Sequence, residues 1–233
     1  MSEPASRRLR VLDIVTIVLF LSALGVVFLY APEEKSMGMV QKVFYFHVAS
    51  FWTGMLGFAF SMVSGIIYLR THDRKWDIIE VAGVEIGLVF CLVGVITGSI
   101  WAYPAWNTWW TWDPRLTTVT IMELAYFAYL MLRSGIEDPE RRARFGAVYA
   151  IVAFISVPLT FFSIRWFNTI HPVVIGSSDP GATGTFEMTP RMLQTFMFSL
   201  LAYSFVFADL FWHRIRLGRL ADKVEQKKLK LAE

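Results

Sequence analysis

Apolar residues dominate six stretches of the chain, at about 11–30, 43–69, 79–101, 116–132, 145–165 and 190–212, and charged residues collect in the gaps between them. Stretches of this length cross roughly 30 Å of hydrocarbon as helices, since a helix rises 1.5 Å per residue. The pattern predicts an all-α polytopic membrane protein: one six-helix bundle filling residues 1–233, a Trp-rich loop at 102–115 and a basic tail at 213–233. The first stretch ends Leu29-Tyr30-Ala31-Pro32, without the paired small residues of a cleavage site. It is therefore expected to remain as a helix.

Composition agrees: 55% of the 233 residues are hydrophobic and only 18% are charged. Orientation follows from lysine and arginine. Arg7, Arg8 and Arg10 precede the first stretch, Arg70, Arg74 and Lys75 follow the second, and Arg133, Arg141, Arg142 and Arg144 follow the fourth. Seven more occupy the tail, whereas the opposite side holds only Lys35, Lys42, Arg115, Arg165 and Arg191. The positive-inside rule then puts both termini in the cytoplasm and turns the Trp-rich loop outward. The net charge of +3 reflects this topology, and no basic run interleaved with aromatics speaks for nucleic acid. A single cysteine, Cys91, lies in mid-span, so the chain performs no dithiol exchange by itself.

Within the spans, Gly57, Ser61 and Gly65 recur every four residues, as do Gly83 with Gly87 and Gly94 with Gly98. Small residues at that spacing let backbones approach closely, which predicts tight packing of the second and third helices. Pro158 is expected to kink the fifth span and to disfavour helix at Val157. Glu85 and Glu123 fall inside spans, where a carboxylate must face the bundle interior or a wet cavity.

Residues 101–116, Trp-Ala-Tyr-Pro-Ala-Trp-Asn-Thr-Trp-Trp-Thr-Trp-Asp-Pro-Arg-Leu, carry five of the nine tryptophans. Indoles clustered at an interface serve either as a membrane anchor or as a platform for a flat ligand. Trp106, Trp109, Trp110 and Asp113 follow the i, i+3, i+4, i+7 spacing of one helical face, so a short surface helix would gather three indoles into one wall, with Trp112 projecting elsewhere. An anchoring belt would spread its tryptophans over both interfaces, and this clustering favours the platform. Asp113 before Pro114 also has the form of an N-cap for the fourth span.

Of four histidines, His72 and His213 lie among the inner charges. His47, near the outer end of the second span, and His171, before the sixth, are the outer pair. Two neutral imidazoles on opposite faces of a porphyrin give a six-coordinate haem; each histidine alone reads as an interfacial or loop residue before a ligand, and it is their joint position beside the Trp-rich loop that favours ligation. Lys42, Arg115, Arg165 and Arg191 sit beside outer helix ends, where snorkelling accounts for each and haem propionates would use them together. Arg115 is the leading candidate among them.

The string Trp109-Trp110-Thr111-Trp112-Asp113-Pro114-Arg115-Leu116-Thr117, flanked by those histidines and six spans, resembles the WWD signature of the CcmC family, haem-handling membrane proteins of cytochrome c maturation. The resemblance covers nearly the whole chain. It implies that Trp106, Trp109, Trp110, Trp112, Asp113 and Arg115 contact a b-type haem and that His47 and His171 are its axial ligands. It also implies a multi-pass protein of the bacterial inner membrane that is not an enzyme. Such a protein passes haem to a CcmE-like periplasmic chaperone, within an assembly of CcmA-, CcmB- and CcmD-like subunits in the lipid. No Walker motif occurs, so ATP would be used by a partner. Asn107 departs from the pattern, which usually has glycine there. Alternatives of other classes are a haem-exporting conduit, a two-haem electron-transfer subunit and a membrane scaffold whose tryptophans only anchor.

Overall fold

The structure, a computed structural model, describes residues 7–34, 37–173 and 188–232, which leaves Lys35 outside the described residues. Seven helices make up nearly all of it: α1 (Arg7–Gly25, continued by a π-helical turn at Val26–Tyr30), α2 (Val43–Thr71, entered through a 3-10 turn at Met39–Lys42), α3 (Arg74–Trp106), α4 (Pro114–Ser134), α5 (Pro139–Ala153), α6 (Ser156–Trp166) and α7 (Pro190–Ala232). Among the described residues there is no strand, only an isolated bridge between Glu34 and Gly38. The fold is thus the expected polytopic helical bundle.

Among the described residues, five segments are long and apolar enough to cross a membrane: Arg7–Tyr30, Met39–Thr71, Arg74–Trp106, Pro139–Trp166 and Pro190–Lys228. The fourth expected span, α4, is not among them, because Thr117, Thr118, Thr120 and Glu123 dilute its hydropathy. At 21 residues it still measures about 30 Å. Its outer face is apolar, with Ile121, Leu124, Phe127 and Met131 exposed, while Val119, Met122, Tyr126 and Tyr129 are buried. Beyond 212 the chain continues as helix, with α7 running on to Ala232.

The α2–α3 hairpin is the spine. A Cβ on Gly57 would stand 2.6 Å from the Gly83 carbonyl, and one on Gly83 would stand 2.5 Å from the Gly57 carbonyl. The two backbones are in direct contact, as the small-residue spacing predicts. α5 packs on α2, α6 on α4, and α1 on α7. Phe58 of α2 stacks on Tyr126 of α4 at 3.6 Å, within an apolar core that includes Phe51, Val84, Leu88 and Met122. Pro158 breaks the fifth span as expected, but the break falls upstream, at Phe154 and Ile155, and Val157 is helical. The ring of Pro158 removes the N–H that would have bonded to Phe154, so α5 and α6 meet at a joint one turn earlier.

Ion pairs collect at the end of the bundle that carries Arg133. Asp77 accepts from Arg133 at 2.6 Å and from Arg74 at 2.9 Å, and Arg74 reaches Asp222 of α7 at 3.2 Å. Glu80, wholly buried, accepts from the Tyr129 hydroxyl at 2.8 Å. Glu85 pairs with Arg214, which explains how that span carboxylate is tolerated. His213 links Asp13 of α1 to Asp209 of α7, at 2.9 and 3.5 Å.

Candidate functional site

The opposite end of the bundle carries the tryptophans. α3 does not stop at Tyr103-Pro104 but runs through Pro104 to Trp106, where Asn107 ends it in a left-handed conformation (φ 54°) and donates its N–H to the Tyr103 carbonyl at 2.8 Å. Asn is among the few residues that tolerate this backbone, so the turn survives without glycine. Residues 107–113 are then irregular. The short surface helix expected over Trp106–Asp113 does not exist, because its would-be first turn belongs to α3 and the left-handed residue interrupts the register.

The indoles meet nevertheless. His47, His171, Trp106, Trp109, Trp110 and Arg115 all line one cavity, closed below by Phe51, Val95 and Val119. Trp106 stands edge-on to His171 at 6.2 Å, and Trp109 stacks on Tyr103 at 4.5 Å. Trp112 and Asp113 are not in the lining. Trp112 is 72% exposed, and its ring meets the edge of Trp110 at 5.8 Å.

The two imidazoles lie with ring centroids 6.4 Å apart and their planes tilted by 37°. His47 sits in the second turn of α2, where its Nδ1 lies 2.8 Å from the Gly94 carbonyl of α3. A carbonyl only accepts, so Nδ1 carries the proton and Nε2 keeps its lone pair. Gly98 makes room for that ring: a Cβ there would stand 2.6 Å from its Cε1. The glycine spacing read as helix packing therefore also seats a histidine. His171 repeats the arrangement in a loop, with Nδ1 3.1 Å from the Pro172 carbonyl. Burial, reinforced by the Arg115 guanidinium and His47, pushes the His171 pKa down to about 3, which keeps its imidazole neutral.

Arg115 is the one outer cation found in the lining; its guanidinium also donates to the Thr160 carbonyl of α6. Lys42 turns inward, 5% exposed, and donates to the Phe28 carbonyl at 2.9 Å. Arg165 lies over Phe161 and Arg191 over Tyr30. The expected ring of cations thus contracts to a single guanidinium.

Asp113 caps α4, accepting from the Arg115 N–H at 2.9 Å. It also accepts from the Thr169 hydroxyl at 2.5 Å and from the Ile170 N–H at 2.9 Å. Sequence reasoning had no means of finding Thr169 and Ile170, which lie 56 and 57 residues away from Asp113. Glu123, the other span carboxylate, faces the bundle interior at 8% exposure, with one carboxylate oxygen lacking a hydrogen-bond partner among the described residues, and does not line the cavity.

The sequence profile of the family described as Heme exporter protein C matches residues 1–230. A Heme exporter protein C of Bradyrhizobium diazoefficiens is 31% identical over 172 residues, covering 73% of this chain and 65% of that one. The Heme exporter protein C of Escherichia coli K12 is 30% identical over 144 residues, 61% of this chain and 58% of its own. A putative cytochrome c biosynthesis ccmC-like mitochondrial protein of Marchantia polymorpha is 30% identical over 141 residues, 60% and 59%. The chain thus spans a little under two thirds of the length of these relatives.

Proposed function

Because the chain belongs to the Heme exporter protein C family, we propose that it is a haem-handling membrane component of cytochrome c maturation, with haem held in the cavity at the Trp end. His47 and His171 ligate the iron through Nε2, as a b-type bis-histidine site. Trp106, Trp109 and Trp110 wall the ring, and Arg115 takes a propionate. The observation that carries this reading is the pair of imidazoles on one cavity, 6.4 Å apart by ring centroids, each with Nδ1 at a backbone carbonyl. Two metal–imidazole bonds of about 2 Å laid back to back, plus the radii of the rings, fill a separation of this order.

The distribution of basic residues supports a periplasmic Trp end and cytoplasmic termini in a bacterial inner membrane. Trp109 and Trp112, 56% and 72% exposed, then offer a CcmE-like chaperone an apolar edge beside the cavity. CcmA-, CcmB- and CcmD-like subunits would complete the assembly. The chain delivers haem without making or breaking its covalent bonds, so its role is transfer and not catalysis. The deepest lining residues, Phe51, Val95 and Val119, lie about one helical turn below His47, Gly98 and Arg115, which supports a rim site over a transmembrane conduit.

Purified in mild detergent, the full chain should show the Soret band of a six-coordinate low-spin haem. His47→Ala and His171→Ala should each shift it towards a five-coordinate spectrum. An unchanged band in both variants would remove the ligand assignment.

A further inference from the structure

The two histidines are held in different ways. His47 belongs to α2, its Nδ1–H is fixed on the Gly94 carbonyl at 2.8 Å, Gly98 lies against its ring and Phe51 meets it edge-on at 5.2 Å. Three contacts from two packed helices leave it little freedom. His171 has no helix beneath it, since α6 ends at Trp166 and Pro172 follows. Its own N–H donates to the Thr169 hydroxyl oxygen at 3.1 Å, and that hydroxyl donates to Asp113 at 2.5 Å. The Ile170 N–H completes the attachment at the other Asp113 oxygen, at 2.9 Å.

We propose that Asp113 and Thr169 form a latch that positions His171, and that His171 is the ligand released when haem leaves the site. Asp113 is thereby a positioning residue and not a haem contact, which fits its absence from the cavity wall. One carboxylate both caps α4 and carries the His171 loop, so the capped start of α4 and the iron ligand move as one unit. Breaking the latch needs only hydrogen bonds at a half-exposed loop to give way. Releasing His47 would require its ring to leave the Gly94 carbonyl and its packing against Gly98 and Phe51. The proposal rests on the reading of His47 and His171 as the ligand pair, but the latch itself is a property of the haem-free chain.

Hydrogen exchange on the haem-free full chain tests the latch without reference to the ligands. Thr169→Val, which removes the hydroxyl at nearly constant volume, should raise exchange at the Ile170 and His171 amides about tenfold, as expected for one lost hydrogen bond, while Thr169→Ser retains protection. Equal protection in Thr169→Val and the parent chain overturns the latch. In the haem-loaded chain, Thr169→Val should lose low-spin character that added imidazole restores.

Added imidazole also serves as the competing ligand in the parent chain, where it should free the Ile170 amide before any amide of residues 43–50. Release in the opposite order overturns the assignment of His171 as the departing ligand. If His171→Ala changes the spectrum and Thr169→Val does not, the ligand reading stands and the latch falls. If both histidine variants leave the spectrum unchanged, the ligand reading falls and amide exchange alone still decides the latch.

Discussion

At the Arg133 end, Asp77 and Glu80 are 2% and 0% exposed, and Arg133, Arg74 and Tyr129 lie within hydrogen-bond reach of them. At the Trp end, two imidazoles on one cavity each give one nitrogen to a backbone carbonyl and keep the other free. Charge is dense at the first end and scarce at the second, yet the second is where a ligand finds unspent donors. Polar groups whose partners lie within the fold hold it together, and polar groups left with a lone pair beside open space are available for chemistry. The contrast separates the polar groups that hold the bundle together from those left open at its Trp end. It also predicts that variants at the two ends fail in different ways.

The largest expected effect comes from Arg133→Met. Removing the guanidinium leaves Asp77 with Arg74 alone and weakens the field around Glu80, and breaking a buried pair in this way costs about 3–5 kcal/mol. The unfolding midpoint in mixed micelles should fall accordingly, while the protein that remains folded keeps the haem spectrum of the parent. An unmoved midpoint would break the comparison at the Arg133 end. A spectrum that changes in the folded fraction would show the two ends to be coupled.

Gly98→Ala should do the reverse. Its Cβ would stand 2.6 Å from Cε1 of His47 and 2.8 Å from Nδ1, so the ring has to shift off the Gly94 carbonyl. Overpacking of this kind costs about 1–3 kcal/mol, and the site would absorb it as a displaced ligand. We expect haem retention to drop about tenfold with a smaller loss of stability than in Arg133→Met. Retention equal to that of the parent would mean that the ring adapts and that Gly98 only packs helices.

Gly98 also marks what sequence could and could not reveal. Its spacing from Gly94 makes close helix approach legible, because the repeat is local, but the identity of the residue seated against it is a tertiary fact. The same division holds for Asp113. Its cap on α4 follows from Asp113-Pro114, whereas its grip on Thr169 and Ile170 crosses 56 and 57 residues. Helical periodicity misleads over Trp106–Asp113, since spacing alone does not register that α3 continues through Pro104 and stops at a left-handed Asn107. Glu80 lies within the same apolar stretch as Glu85 and is equally legible as a span carboxylate, but its pairing with Tyr129 is not. Outer cations are readable by position and not by direction, which is why Lys42 turns to a backbone carbonyl instead of the site.

Tyr129→Phe sharpens the comparison at intermediate scale. The phenol donates to Glu80 at 2.8 Å inside the bundle, and Arg133 remains 3.9 Å from the same carboxylate after the change. One hydrogen bond is lost with part of the compensation retained, for a cost of about 1 kcal/mol. Thermal unfolding should register that loss with no change in the Soret band.

Trp112→Ala is the smallest effect and tests how far the site extends along the Trp-rich loop. Trp112 is 72% exposed, its ring meets the edge of Trp110, and it is not part of the cavity wall. Exposed truncations of this kind change stability by no more than about 0.5 kcal/mol. The haem spectrum of the isolated chain should therefore match that of the parent, whereas Trp106→Ala, which removes the indole edge beside His171, should shift it. If Trp112→Ala instead alters the spectrum as strongly as Trp106→Ala, the haem reaches past the wall formed by Trp106, Trp109 and Trp110. An effect confined to transfer onto an added chaperone would assign Trp112 to docking and leave the wall where the cavity lining puts it.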